Sequence, residues 1–231
     1  MTNKIQKLLY LDVFIVSLIV LGCFLTAICT NQMVVGKLKH PRVTALNYGN
    51  IKFGLIGVGT KQYNYGYGDR DEETYLVYNE YEDQHNIPLI ITTLSFIGVA
   101  TIFTVVSTIF ALMNTITVPI QTIHGSLGLY IWNGIAGGFG LLSIILYTIM
   151  FETTIKDNIQ SPNEDEFSTE DPAKVGYSFW LLLCGVIFAT TNIGIVYLAG
   201  KAVDPDFFKR KSKIEVNEKQ QNEAVADGIM F

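Results

Sequence analysis

The chain has 231 residues, 16 of them basic and 21 acidic, so 16% are charged, against about 25% in a typical soluble domain. Residues 13–36, 84–151 and 175–200 contain no Asp, Glu, Lys or Arg, which makes 118 uncharged positions in three blocks. The other 113 positions hold all 37 charges, or 33%. This segregation excludes a soluble enzyme, a nucleic-acid binder or a disordered chain as the whole description.

A bilayer core takes about 20 apolar residues of helix. The first block supplies a span over about 8–30, with Tyr10 and Asp12 at its start, where polar heads reach the interface. Lys4 and Lys7 ahead of an apolar run also suit a secretory signal peptide, with Ala27 and Cys29 as a small-residue cleavage pair. The apolar run is longer than a signal core, which favours a retained span.

The first loop, about 31–86, is the largest polar piece. Its centre, Asn50 to Thr60, has β-branched residues and glycines at 54, 57 and 59, which predicts a short strand or hairpin. Tyrosines 63, 65 and 67 follow, and then an acidic, tyrosine-bearing run from Asp71 to Asp83. Two readings stay open. The loop is a recognition surface, or it is a small cap packed on the helix ends with tyrosines at the lipid interface.

The middle block is long enough for two spans. Thr115, Thr117, Pro119 and Gln121 dilute it, and proline removes a backbone donor. Spans are therefore expected at about 87–113 and 123–151. The second loop, 152–176, has 7 acids against 2 bases. The last block supplies a span at about 177–199. The tail, 200–231, carries a basic cluster, Lys209-Arg-Lys-Ser-Lys213, suited to anionic lipid or to a stop-transfer flank. With four spans, each side of the membrane holds 8 basic residues, so the positive-inside count is a draw. The basic cluster tips the orientation towards both termini in the cytoplasm.

Within the spans, Gly134 and Gly138 form a small-xxx-small pair, and Gly185 and Ala189 repeat it. Such spacing lets helices approach closely, inside one bundle or between copies. Packing inside the bundle is the expectation. Asn133 and Asn192 lie at membrane depth as pathway groups or as interhelical glue. No charged residue stands at the centre of a span, which argues against an ion-coupled transporter.

Cys23, Cys29 and Cys184 all fall in spans, so no disulfide is expected in the loops. His40, His85 and His124 are scattered, and no Cys/His spacing suits a metal. There is no N-glycosylation sequon and no catalytic constellation, so no enzyme activity, cofactor or metal is expected. The ending Ile229-Met230-Phe231 fits a C-terminal PDZ ligand, added as a strand with its carboxylate held by backbone donors.

Several motifs together resemble the clarin family. Thr122-Ile-His124-Gly125-Ser-Leu127-Gly128-Leu129-Tyr130 is similar to the clarin stretch T-x-H-G-x-L-G-L-Y that opens the third span. Ser178-Phe179-Trp180 resembles the S-F-W that opens the fourth, and Leu198-Ala-Gly200 the L-A-G that closes it. The tail's hydrophobic-Met-aromatic ending agrees as well. The missing sequon and loop cysteines depart from vertebrate clarins and fit an invertebrate member.

The resemblance implies an all-α integral membrane protein, a four-helix bundle with a small claudin-like extracellular hairpin or sheet. It implies a non-enzymatic protein of the plasma membrane and its trafficking routes. Such a protein would organise membrane complexes and link them to PDZ scaffolds and actin, as in sensory or epithelial cells, alone or as a homo-oligomer. Two other functions suit the same architecture: a claudin-like adhesion or barrier protein, and an auxiliary subunit of an ion channel. Phe53-Gly-Leu-Ile56 faintly resembles the claudin G-L-W, while the claudin cysteines and the tetraspanin C-C-G are absent.

Overall fold

A computed structural model describes residues 2–39, 48–64, 70–77, 87–116, 125–157, 159, 168–169 and 171–203. The basic cluster at 209–213, the ending Ile229–Phe231, Pro119, Thr122 and His124 lie outside them.

Each charge-poor block becomes helix because long apolar side chains carry no competing polar group and the backbone must satisfy itself in lipid. Helix α1 spans Thr2–Cys29, α2 Ile87–Ile116, α3 Ser126–Met150 and α4 Tyr177–Val203. All four are long and apolar enough to cross a membrane, over Ile5–Cys29, Ile87–Ile116, Leu127–Ile155 and Tyr177–Lys201. The protein is a multi-pass membrane protein. Helix α2 continues three residues past the expected end at 113. Thr115 there donates its hydroxyl to the Ala111 carbonyl at 2.9 Å, so its polar group is absorbed by the helix.

The helices form a ring in which α1 packs on α2 and α4, and α3 packs on α2 and α4. Helix α3 runs on through one π turn, Phe151–Ile155, closed by Lys156 N–H donating to Phe151 O at 2.9 Å. Phe151 and Ile155, one turn apart, are both buried.

On the side away from the chain's first residues sits an antiparallel sheet. Its strands are β1 Val34–Lys39, β2 Tyr48–Phe53, β3 Val58–Asn64, β4 Arg70–Leu76, β5 Ser168–Thr169 and β6 Lys174–Val175. The order is β4-β3-β2-β1-β5, with β6 also paired to β1. The expected hairpin over 50–60 is real, as β2 and β3, but it is one part of a six-stranded sheet that includes the second loop. The acidic segment after it forms β4. Asp and Glu are poor strand formers, and cross-strand pairing with β3 overrides that preference.

The three glycines of that hairpin serve different ends. Gly57 has φ 85°, a backbone that only glycine adopts without strain. A Cβ on Gly54 would meet the Thr30 carbonyl at 2.5 Å, and one on Gly59 would strike the Tyr75 ring.

Alternation along the strands sets the core. Val34, Leu38, Ile51 and Phe53 face inward and join one apolar cluster with Val20, Phe24, Ile97, Tyr147, Ile155 and Val186 of the helices. Sheet and bundle thus share a single core. Tyr147 O–H donates to Met33 O at 3.1 Å, and Gly176 N–H donates to the same carbonyl at 2.9 Å. These bonds fix the start of β1 to α3 and to the start of α4.

Candidate functional site

Inside the bundle one polar chain touches all four helices. Asn133 of α3 donates through Nδ2 to Ser107 Oγ of α2 at 2.7 Å and to its own helix at Leu129 O, 2.8 Å. Asn192 of α4 donates through Nδ2 to Ser17 Oγ of α1 at 2.7 Å, to Asn133 Oδ1 at 3.2 Å and to Val13 O at 3.3 Å. All four side chains are buried. The sequence leaves these asparagines open as pathway or glue, and the geometry is that of glue. Interhelical bonds of this kind contribute about 0.6 kcal/mol on average and up to about 1.7 kcal/mol. Asn192 Oδ1 itself has no partner among the described residues.

Nearer the sheet, the bundle is held by shape. Phe24 of α1 is fully buried, its ring directed at glycines on two other helices. A Cβ on Gly185 of α4 would lie 2.6 Å from that ring, and one on Gly140 of α3 would lie 3.3 Å from it and 2.8 Å from Val186. Ala189 is buried beside Gly137, whose Cβ would meet it at 3.9 Å. The α4 pair Gly185 and Ala189 therefore faces the interior.

Gly134 and Gly138 do not. Both are exposed, and a Cβ on either would meet nothing within 4 Å. The expectation that this pair packs the bundle is corrected: Gly137 and Gly140 do that work. Helix phase explains it. Asn133 and Gly140 are seven positions apart on the inward face, whereas Gly134 and Gly138 lie about 100–140° round from it, with exposed Leu127, Ile131 and Leu141.

The family-like motifs mark both ends of the bundle. At the end with the N-terminus, Gly125 caps α3 with an extended backbone, φ −87° and ψ −154°. Gly128 and Leu129 are buried, and Leu129 packs in a second cluster with Tyr10, Val13, Ala111, Val196 and Ala199. Tyr130 borders this cluster, and Leu127 is 56% exposed. Trp132 stacks on Phe103 and Phe110 of α2, with centroids 5.6 and 6.2 Å away.

At the sheet end, Ser178 is buried, and its hydroxyl shares a 2.6 Å hydrogen bond with that of Thr30. Phe179 lies against Tyr147 at 5.7 Å, while Trp180 is 55% exposed, as suits an interfacial aromatic. The described motif residues are helix-end fittings.

In the sheet, Tyr63 packs against the core and Tyr75 is buried, so these two tyrosines follow the cap reading. Lys61 is also fully buried, its Nζ 4.6 Å from the Tyr75 ring centroid, a cation–π contact that hydropathy does not foretell. Tyr48 is exposed on the opposite face. Among the described residues no group of three or more His, Cys, Asp or Glu is placed to hold a metal.

The comparisons with known proteins agree with this architecture. A family model described as Clarin-2-like matches residues 6–196. Mouse Clarin-3 is 25% identical over 233 residues, covering 98% of this chain and 98% of its own length. Human Clarin-3 is 29% identical over 123 residues, which is 49% of this chain and 48% of that protein. The four membrane helices, the mounted sheet and the match through nearly all of the bundle lead to one assignment: the chain belongs to the clarin family.

Proposed function

We propose that this clarin is a non-enzymatic organiser of complexes at the plasma membrane, with both termini in the cytoplasm. The observation that carries this reading is the single core joining sheet and bundle. A sheet so mounted is a platform held at a fixed angle to the membrane, suited to presenting a surface rather than to moving a substrate. With this orientation the tail 204–231 belongs to the cytoplasmic side. Its basic cluster, Lys209–Lys213, favours the cytoplasmic leaflet, and Ile229–Phe231 offers a PDZ ligand that would tie the complex to an actin-linked scaffold.

The outward ridge of Gly134 and Gly138 supports a lateral role as well. With open space beside it in this chain, the ridge suits a second copy or another membrane protein.

The test is recovery of PDZ scaffolds with the full-length protein from native membrane. Removing Ile229–Phe231 should abolish that recovery and leave surface delivery intact. Unchanged recovery would remove the tail from the proposal. Epitopes inserted in the tail beyond residue 203 and between β3 and β4, probed on intact cells, check the orientation independently.

A further inference from the structure

The outer face of the sheet carries a cleft of about 370 Å³ lined by Tyr48, Asn50, Gln62, Asn64, Asp71 and Glu72. Strand register places five of these side chains in one patch. Tyr48 lies opposite Asn64, Asn50 opposite Gln62, and Gln62 opposite Glu72. Directly opposed residues stand with Cβ atoms about 4.5–5.5 Å apart, and successive same-face residues along a strand are about 7 Å apart. The patch is therefore a small lattice of three amides and one carboxylate with an aromatic ring at one corner, and Asp71, at the neighbouring register position, completes the lining.

We infer that this cleft is a binding site for a neutral glycan. Each side-chain amide sets a donor and an acceptor on adjacent atoms, which matches the neighbouring hydroxyls of a sugar ring. The carboxylates add acceptors for hydroxyl protons. Tyr48, 52% exposed, offers a ring face to the C–H side of a pyranose. Asp71 and Glu72 line the cleft, and exposed Lys37 and Lys39 of β1 stand opposite Asn50 and Tyr48 in register at its border, so the face carries both signs and no single-sign field that would select an anionic sugar.

Other occupants fit less well. An extended peptide binds a sheet through its edge, by adding a strand, whereas this cleft opens mainly on the face of β2 and β3, each paired on both sides. A lipid tail would need an apolar lining, and apart from the Tyr48 ring there is none. The use of the site on a cell surface rests on the orientation proposed above, but the binding itself does not.

Saturation-transfer NMR on the full-length protein in nanodiscs tests the site directly, using free galactose, glucose, mannose and sialic acid. Transfer to at least one neutral hexose is expected, with no preference for sialic acid. Tyr48→Ala and Gln62→Ala should each weaken that signal's apparent affinity roughly tenfold, about 1.4 kcal/mol, with the thermal midpoint unchanged because both side chains are exposed. The inference is overturned if no neutral hexose receives saturation. It is equally overturned if both variants bind like the parent, or if only sialic acid or a lysine-rich control peptide binds. Purified protein has no sidedness, so failure here is distinct from failure of the epitope assay.

Discussion

The two halves of the helical bundle are held by different forces. Next to the sheet, α1, α3 and α4 meet through a ring on glycine, with Phe24 against Gly140 and Gly185. In the half nearer the termini they meet through amides and hydroxyls, from Ser107 through Asn133 and Asn192 to Ser17. In lipid no hydrophobic force draws one helix to another, so close packing and hydrogen bonds must do it. The sheet-side half has an added source of order, because its core continues into a sheet that buries apolar surface from water. The terminal half lacks that support, and directional bonds there fix the register in which four smooth helices stand.

The largest effect is expected on the side held by shape. Leucine at Gly185 would drive a branched side chain into Phe24, where even a Cβ would lie at 2.6 Å. Overpacking of this kind costs about 1–3 kcal/mol, and Gly185→Leu should sit at the upper end because the obstacle is a fully buried ring. Unfolding of the purified protein by detergent titration, followed by circular dichroism, measures it. A parallel Phe24→Leu substitution should relieve part of the loss when the two are combined. Strict additivity would mean that the two residues do not touch.

A smaller loss is expected on the hydrogen-bonded side. Asn192→Leu removes the donor to Ser17 and to Asn133, and the cost should be about 1–2 kcal/mol. A double-mutant cycle between Asn133→Ala and Asn192→Ala isolates their shared bond, with a coupling of about 0.6 kcal/mol expected. A coupling of zero would break the idea that one polar chain runs through the bundle.

Periodicity and length decide how much of this is legible in the sequence. The spans are legible because a charge-free run of more than 20 residues is long enough to cross a bilayer as helix, and a soluble core rarely holds one. Asn133 and Asn192 are legible as interhelical groups because an amide in hydrocarbon must find a partner. The sheet is legible only in its Gly-rich hairpin. Strand β4 hides behind its acids, and β5 and β6 have two residues each, too short for any alternation to register. The role of Gly134 and Gly138 is not legible, because small-xxx-small spacing names a face without naming what lies across from it. Four glycines of α3 lie within seven residues, at 134, 137, 138 and 140, and only the phase of the helix in the bundle separates the inward pair from the outward one.

That separation is itself testable, and its expected effect on folding is small. Leucine at Gly134 and Gly138 meets open space and replaces a poor helix former with a good one. Stability should be unchanged or higher by up to about 1 kcal/mol per site. A loss as large as that of Gly185→Leu would place the ridge inside the bundle after all. Lateral association in native membrane, read by crosslinking, should fall in the same variant if the ridge seats a neighbour.

The smallest effect concerns the rim, where α3 leaves the membrane. Lys156 Nζ donates to Glu152 Oε2 at 2.7 Å, one helical turn back. The hydrogen bond to Glu152, then the charge of Glu152 and of Asp157, hold the lysine above its ordinary 10.5. A pKa raised by folding contributes stability that is complete below the unfolded value and is lost as pH rises through the folded one. The pair's contribution should therefore be level through the neutral range and fade only above 10.5. Both partners are solvent-exposed, so the readout is spectroscopic: NMR titration of Lys156 Nζ should show its midpoint falling when Glu152→Gln removes the carboxylate. A midpoint indifferent to that change would mean that the ion pair does not persist in solution. Neither outcome should alter the bundle below, because the π turn between them is closed by the backbone bond to Phe151 and by burial of Phe151 and Ile155 rather than by charge.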